Sequence, residues 1–185
     1  MRKGSRDLLE PRDNERFERL VMPHMDAAFN FARWLLRSRA DAEDAAQEAM
    51  VRAVRFFGGF QGGDPRAWLL RIVRNTCYSW LEKNRPAELM MEFDETIHLT
   101  DTGASPEASA LAADERQRLS AALESLPARS REVLVLRELE GCSYKEISAI
   151  TGIPMGTVMS TLARARERLQ ETLRRGEGRE VRYGL

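Results

Sequence analysis

The chain has 185 residues, 43% of them apolar and 31% charged, which suits one large or two small soluble domains rich in helix. Its 29 Lys and Arg balance its 29 Asp and Glu, so no basic excess marks a protein that grips nucleic acid unaided; the balance suits one that borrows affinity from a larger machine. No run of about 18 apolar residues is present to span a membrane, the start MRKGSRDLLEPRD lacks the apolar stretch of a signal peptide, and Cys77 and Cys142 match no metal spacing and are expected reduced and half-buried, as in a cytoplasmic protein.

Residues 13–37 are expected to form one long amphipathic helix, with Phe17, Leu20, Val21, Met25, Phe29, Phe31, Ala32, Leu35 and Leu36 recurring at three and four. His24 lies among them with no second ligand nearby. Asp41 is expected to cap the next helix, DAEDAAQEAMVRAVRFF, whose inward stripe is Ala45, Ala46, Ala49, Met50, Ala53 and Phe57. Its outward side carries Asp44, Gln47, Glu48 and Val51. Solvation accounts for the acids, whereas an exposed valine between them points to a docking surface.

The loop GGFQGGD has no Lys followed by Ser or Thr and no strand before it, so it is not a phosphate-binding loop. Asp64 and Pro65 open a further helix that ends before Pro86. Trp68, Leu69, Ile72, Val73, Thr76 and Trp80 fall on one side, and Arg71, Arg74, Asn75, Tyr78 and Arg85 on the other. Basic groups interleaved with an aromatic and an amide suit single-stranded or distorted nucleic acid: phosphate pairing, base stacking and edge hydrogen bonds. Residues 88–115 then hold eight Asp or Glu and no Lys or Arg, which makes a linker between two helical modules. Ser105 and Pro106 are expected to start a helix through Ala108, Leu111, Ala112, Leu119 and Leu123.

The second module runs from Leu126 to Leu173. Pro127 precedes a helix carrying Val133, Leu134, Leu136 and Leu139, which Gly141 stops. Ser143 and Glu146 have the spacing of a capping box. Ile147 and Ile150 line the short helix they open, Gly152 ends it, and Pro154 stands at the head of a third. Helix, tight turn and helix make the DNA-binding helix-turn-helix pattern. Along the third helix, to about Thr172, Val158, Leu162, Ala165 and Leu169 fall together and face the core. Gly156, Ser160, Ala163 and Arg164 face outward, with Thr157 and Met159 on the flanks. The outward face is small and then basic, as a helix in the major groove requires. Arg166 and Arg168 are displaced around the helix, toward phosphates. The chain is thus expected to be all-α, two small helical domains joined by an acidic linker.

Together DAEDAAQEAMVRAV (41–54), FQGGDPRAWLLRIVRN (60–75) and LPARSREVLVLRELEGCSYKEISAITGIPMGTVMSTLARARERL (126–169) resemble the extracytoplasmic-function sigma factors of bacterial RNA polymerase. The resemblance covers about residues 13 to 173. It implies a promoter −10 domain over 13–86, a linker over 87–105 and a −35 domain over 106–175. It further implies that Asp44, Gln47, Glu48 and Val51 meet the β′ clamp helices of core polymerase, and that the β flap is a second contact. The 58–66 loop, with Phe60 and Gln61, would hold a flipped promoter base, and Trp68, Arg71, Arg74, Asn75 and Tyr78 would attend the opened strand. Gly156, Thr157, Met159, Ser160, Arg164, Arg166 and Arg168 would face the −35 duplex. Met159 and Thr161 depart from a family that commonly places basic residues there. The family implies an anti-sigma partner, no cofactor or metal and no small-molecule substrate. A stand-alone repressor would leave the 41–85 surfaces unexplained, a decoy for an anti-sigma protein would lack the basic faces, and no acid–base pair or nucleophile set suggests an enzyme.

Overall fold

The computed structural model describes residues 11–87 and 110–180, with side chains from 13 to 87 and from 117 to 175. Among these residues all regular structure is helical. Most of the acidic segment, with the expected helix start at Ser105 and Pro106, lies outside the described residues.

The long helix expected over 13–37 is two helices, α1 (Pro11–Leu20) and α2 (Met25–Leu36), joined by a 3₁₀ turn at Met22–His24. Pro23 is the cause: it lacks an N–H, and its ring would clash with a carbonyl one turn earlier. Phe17 and Val21 still enter the core. Arg37 closes α2 in the left-handed region, at φ 61°. Ser38, rather than Asp41, caps α3 (Arg39–Phe56), its Oγ accepting the Asp41 N–H at 3.3 Å. The stripe that α3 buries is small, Ala42, Ala45, Ala49 and Ala53, so its backbone lies close to α2 and α4. Ala46 and Met50, expected inside, are half-buried.

Helix α4 (Pro65–Asn84) starts where Asp64 accepts the Arg66 N–H at 2.9 Å. It buries Leu69, Leu70, Val73, Thr76, Cys77 and Leu81, while Trp68, Ile72 and Trp80 are only half covered. This wider burial is explained by what packs on it from the second domain.

That domain comprises α5 (Ala110–Glu124), α6 (Ala128–Leu134), α7 (Tyr144–Thr151) and α8 (Met155–Glu180). Helix α6 continues into one π turn at Val135–Leu139. The extra residue in that turn shifts the side-chain phase by about 100°. Val135 still continues the buried face of Ala128, Arg131 and Glu132, but Leu139, placed in the core by spacing, is 50% exposed. Gly141 then takes φ 65°. The Ser143–Glu146 capping box forms as expected, with both reciprocal bonds, at 2.6 and 3.2 Å. The Ser143 hydroxyl and amide hold the Glu146 carboxyl below the usual carboxylate range. Gly152, at φ 75°, makes the turn, and the Ser148 hydroxyl fastens it by donating to the Ile153 carbonyl at 2.7 Å. Helix α8 buries Val158, Leu162 and Ala165 and runs past the expected end near Thr172.

The two domains share one continuous apolar core. Helix α4 packs on α7, and α2 on α6. Arg131 of α6 is fully buried between them. Its guanidinium donates to the carbonyls of Glu124 and Leu126, at 3.2 and 3.0 Å, and across the seam to that of Leu35 at 3.1 Å. Cys77 and Cys142 are free thiols, buried more deeply than the sequence suggests. Burial pushes the Cys77 thiol up to about 12 and that of Cys142 to about 11, so both are poor nucleophiles at neutral pH.

Candidate functional site

Three surfaces carry the residues singled out from the sequence. The first is the outer side of α3. Asp44, Gln47, Glu48 and Val51 are all exposed, opposite the buried alanines. Val51 is 40% exposed. Glu48 accepts a hydrogen bond from Arg52 at 2.9 Å, one turn on, which leaves Asp44 as the plainer negative charge of the strip. Phe56, 62% exposed at the end of α3, adds an apolar group that the sequence reading placed with neither face.

The second surface is the loop 58–64 with the outer side of α4. Phe60 is not available to a base: it is 6% exposed and packs against Phe57 and Trp68, with ring centroids 5.9 and 5.1 Å away. Arg16, not recognised from the sequence, donates to the Phe60 carbonyl at 3.0 Å and lies over both phenyl rings, at 5.2 and 5.7 Å. The aromatic cluster is therefore a foundation, and the part it presents is Gln61–Asp64, which is exposed. Gly62 and Gly63 take φ 107° and 99°, a left-handed backbone that side chains disfavour.

On α4 the expected outward group is divided. Arg71 and Asn75 are exposed. Arg74 and Tyr78 are covered by Glu132 of α6. Arg74 Nε donates to one carboxylate oxygen, Tyr78 Oη donates to the other at 2.9 Å, and the guanidinium lies 4.3 Å from the tyrosine ring centre. Spacing around one helix places these groups outside correctly; it carries no information about a second domain docking there. Burial holds the Glu132 carboxyl above its usual range, although Arg74 and Tyr78 pull the other way. For Arg74, burial disfavours the cation, but the Glu132 charge and hydrogen bond prevail and it remains protonated. Arg85 leaves the outward group altogether, turning to Asp41, the Leu36 carbonyl and the Trp80 ring.

The third surface is the outer side of α8. Gly156, Met159, Ser160, Ala163, Arg164 and Arg168 are exposed, and Thr157 is half-buried. Arg164 donates back to the Ser160 carbonyl at 3.3 Å, so these residues form one strip along the groove-facing side. Arg166 is exposed but tied to Glu138 of the π turn, whose carboxylate raises its pKa. Thr161 is buried, so the absence of a basic residue there is a packing matter. Among the described residues, no group of three or more His, Cys, Asp or Glu could hold a metal ion, and no helix is long and apolar enough to cross a membrane.

This pair of helical domains matches two family models, Sigma-70 region 2 over residues 20–86 and Sigma-70 region 4 over 116–169. Among curated relatives, the RNA polymerase sigma-H factor of Pseudomonas aeruginosa is 32% identical over 87% of this chain and 88% of its own length. The ECF RNA polymerase sigma factor SigE of Mycolicibacterium smegmatis is 33% identical over 85% of this chain, which spans only 61% of that relative. The ECF RNA polymerase sigma-E factor of Escherichia coli K12 is 38% identical over 69% of this chain and 71% of its own length. Among solved structures, the sigma factor RpoE from Bartonella quintana, crystallised with the anti-sigma factor NepR, superposes with a TM-score of 0.67 at 30% identity, over 86% of this chain and 98% of that one. CnrH in complex with the cytosolic domain of CnrY gives 0.61 at 27% identity, over 86% and 88%. With both sigma regions present in order, and relatives of this identity along most of its length, the chain belongs to the sigma-70 family, in its extracytoplasmic-function class.

Proposed function

We propose that this chain directs core RNA polymerase to promoters with paired −10 and −35 elements, through a −10 domain at 13–86 and a −35 domain at 106–175. The observation that carries this most directly is the α8 strip. Gly156, Ser160, Ala163 and Arg164 face outward on a helix whose other side is locked by Val158, Leu162 and Ala165. A small residue admits the helix to the major groove, a hydroxyl and a guanidinium read base edges, and Met159 offers apolar contact to a thymine methyl. Arg166 and Arg168 serve phosphates.

In this reading Asp44, Gln47, Glu48 and Val51 meet the clamp helices of the polymerase, and the β flap receives the C-terminal domain. Gln61 and the glycine loop take a flipped base, with Arg71, Arg74, Asn75 and Tyr78 along the displaced strand and Trp68 beneath the loop. The protein works in the cytoplasm, where the polymerase is, and has no enzymatic activity of its own. Control by an anti-sigma factor belongs to the same reading, since the similar sigma factor RpoE has been crystallised with the anti-sigma factor NepR.

A randomised −35 selection, read out with polymerase present, separates the two classes of arginine. Arg164→Ala should cost about 1–3 kcal/mol and relax preference at one or two base pairs. Arg168→Ala should weaken binding evenly across sequences and lower the salt slope by about one. If Arg164→Ala leaves the selected sequence unchanged and Arg168→Ala alters it, the face assignment is wrong. On the other domain, unstacking a base costs a few kcal/mol that the loop and α4 must return. Asn75→Ala should therefore impair promoter opening, seen as lost permanganate reactivity of the −10 thymines, while polymerase still binds.

A further inference from the structure

Helix α8 begins with two methionines one turn apart. Met155 is its first residue, and Met159 stands four residues on, within about 40° of it around the axis. They are 48% and 44% exposed, while Val158 and Leu162 on the same helix are buried. Gly156 and Ser160, the residue after each, are exposed as well. Residues 147–163 hold no charged side chain, so ahead of Arg164 this face can work only by apolar contact and hydroxyl groups. Both thioethers belong to the N-terminal half of the helix, the half that meets base edges when a recognition helix enters the major groove.

Among the described residues, an oxidant that acts on sulfur has few other targets. Cys77 and Cys142 are buried, and burial keeps both thiols protonated at neutral pH, which removes the thiolate that would attack a peroxide. A thioether has no proton to lose and needs only to be reached. Met50 is half-buried. Met22 and Met25 are nearly as open as the α8 pair, at 42% and 41%, but they stand at the turn between α1 and α2, away from the α3, α4 and α8 strips. Accessibility therefore selects four methionines among the described residues, and placement on a DNA-reading face selects two of those four.

We propose that Met155 and Met159 are oxidation sites, through which a peroxide changes the base that α8 selects. The proposal rests on the −35 reading of α8 given above. A lone pair of the thioether sulfur attacks one peroxide oxygen and the O–O bond breaks. That oxygen stays on sulfur as a sulfoxide, and its proton passes to the departing hydroxide, giving water. Sulfur is oxidised by two electrons and the peroxide is reduced by two. A flexible apolar side chain becomes a polar one whose new oxygen accepts hydrogen bonds and donates none. In the major groove thymine offers a methyl group and an acceptor, and guanine offers two acceptors, so neither can satisfy a sulfoxide. Adenine and cytosine offer amino donors that can. Oxidation thus replaces a side chain suited to a thymine methyl by one suited to an amino group on the contacted strand. Both side chains lie outside the core, so the fold is kept, and sulfoxide reductases make the change reversible.

The test treats the full chain with hydrogen peroxide, removes the peroxide, and then adds untreated core polymerase for a randomised −35 selection. Mass spectrometry locates each sulfoxide. Untreated wild type should select thymine where Met159 makes its contact. Treated wild type should lose that preference by about fivefold or more and gain adenine or cytosine at the same position, with the melting temperature unchanged. Two methionine sulfoxide reductases, one for each epimer, should restore the original selection. Met155→Leu with Met159→Leu should keep its untreated selection through the same exposure, whereas Met22→Leu with Met25→Leu should change as wild type does. Sulfoxides at Met155 and Met159 with the selection unaltered overturn the proposal. So does oxidation that reaches Met22 and Met25 but spares the α8 pair. A double α8 variant that changes on treatment as wild type does places the effect at another methionine and overturns it too, as does a loss of selection that comes with a lowered melting temperature. An untreated chain that selects no −35 sequence rejects the −35 reading itself, and the proposal falls with it.

Discussion

Replacing Arg131 by alanine should destabilise the folded chain by roughly 3 kcal/mol, a large effect for one residue on the surface-like, charged stretch ARSRE. The side chain is fully buried and is the common donor to three backbone carbonyls. Deleting it leaves those oxygens without that donor and opens a cavity between the domains, at about 1–3 kcal/mol for each polar group left unsatisfied. The relieved desolvation of the guanidinium offsets part of this, so the costs do not simply add. Arg131→Lys should rescue little, because an ammonium cannot span the same carbonyls from a fixed planar fork. Urea unfolding provides the measurement, with Arg168→Ala as the exposed control, expected within about 0.5 kcal/mol of wild type. A midpoint for Arg131→Ala as close to wild type as that control would mean the buried position is not a structural anchor.

Reversing both acids of α3, Asp44→Lys with Glu48→Lys, should weaken association with core polymerase by about tenfold or more, since like charges would then meet at the docking surface. Both positions are exposed, so folding should be little changed. The Glu48 change also sets two cations one turn apart, Lys against Arg52, which strengthens the local positive field. Fluorescence anisotropy of the labelled chain against core enzyme at physiological salt provides the affinity. Wild-type affinity in the double variant would place the polymerase contact elsewhere, with exposed Phe56 the first alternative.

What was legible in the sequence is what one helix decides by itself. The Ser143–Glu146 capping box, the Gly152 turn and the inward set Val158, Leu162 and Ala165 follow from local bonds and a 3.6-residue period, and each is present. The break at Pro23 was legible in principle, since a proline inside a helical pattern carries its own warning. The π turn was not: Leu139 leaves the core through one added residue that no spacing signals. Least legible were the effects of one domain on the other. Arg131 and Glu132 look like ordinary solvated charges, and their partners Leu35 and Arg74 stand 96 and 58 residues away. The same docking covers Arg74 and Tyr78, whose outward placement on α4 alone was sound. Arg16 escaped notice for a similar reason, its partners being the loop aromatics 44 residues on.

Whether this chain confers promoter choice on polymerase is decided by transcription in vitro. Core RNA polymerase, the full chain and fragmented bacterial DNA are combined, and the 5′ ends of the transcripts are mapped. Discrete start sites that core alone does not use are expected, preceded by a common pair of motifs at −10 and −35 spacing, with Arg164→Ala relaxing only the upstream one. Transcripts identical with and without the chain, alongside binding of the chain alone to duplex DNA, would contradict it and identify a stand-alone DNA-binding regulator built on the same fold.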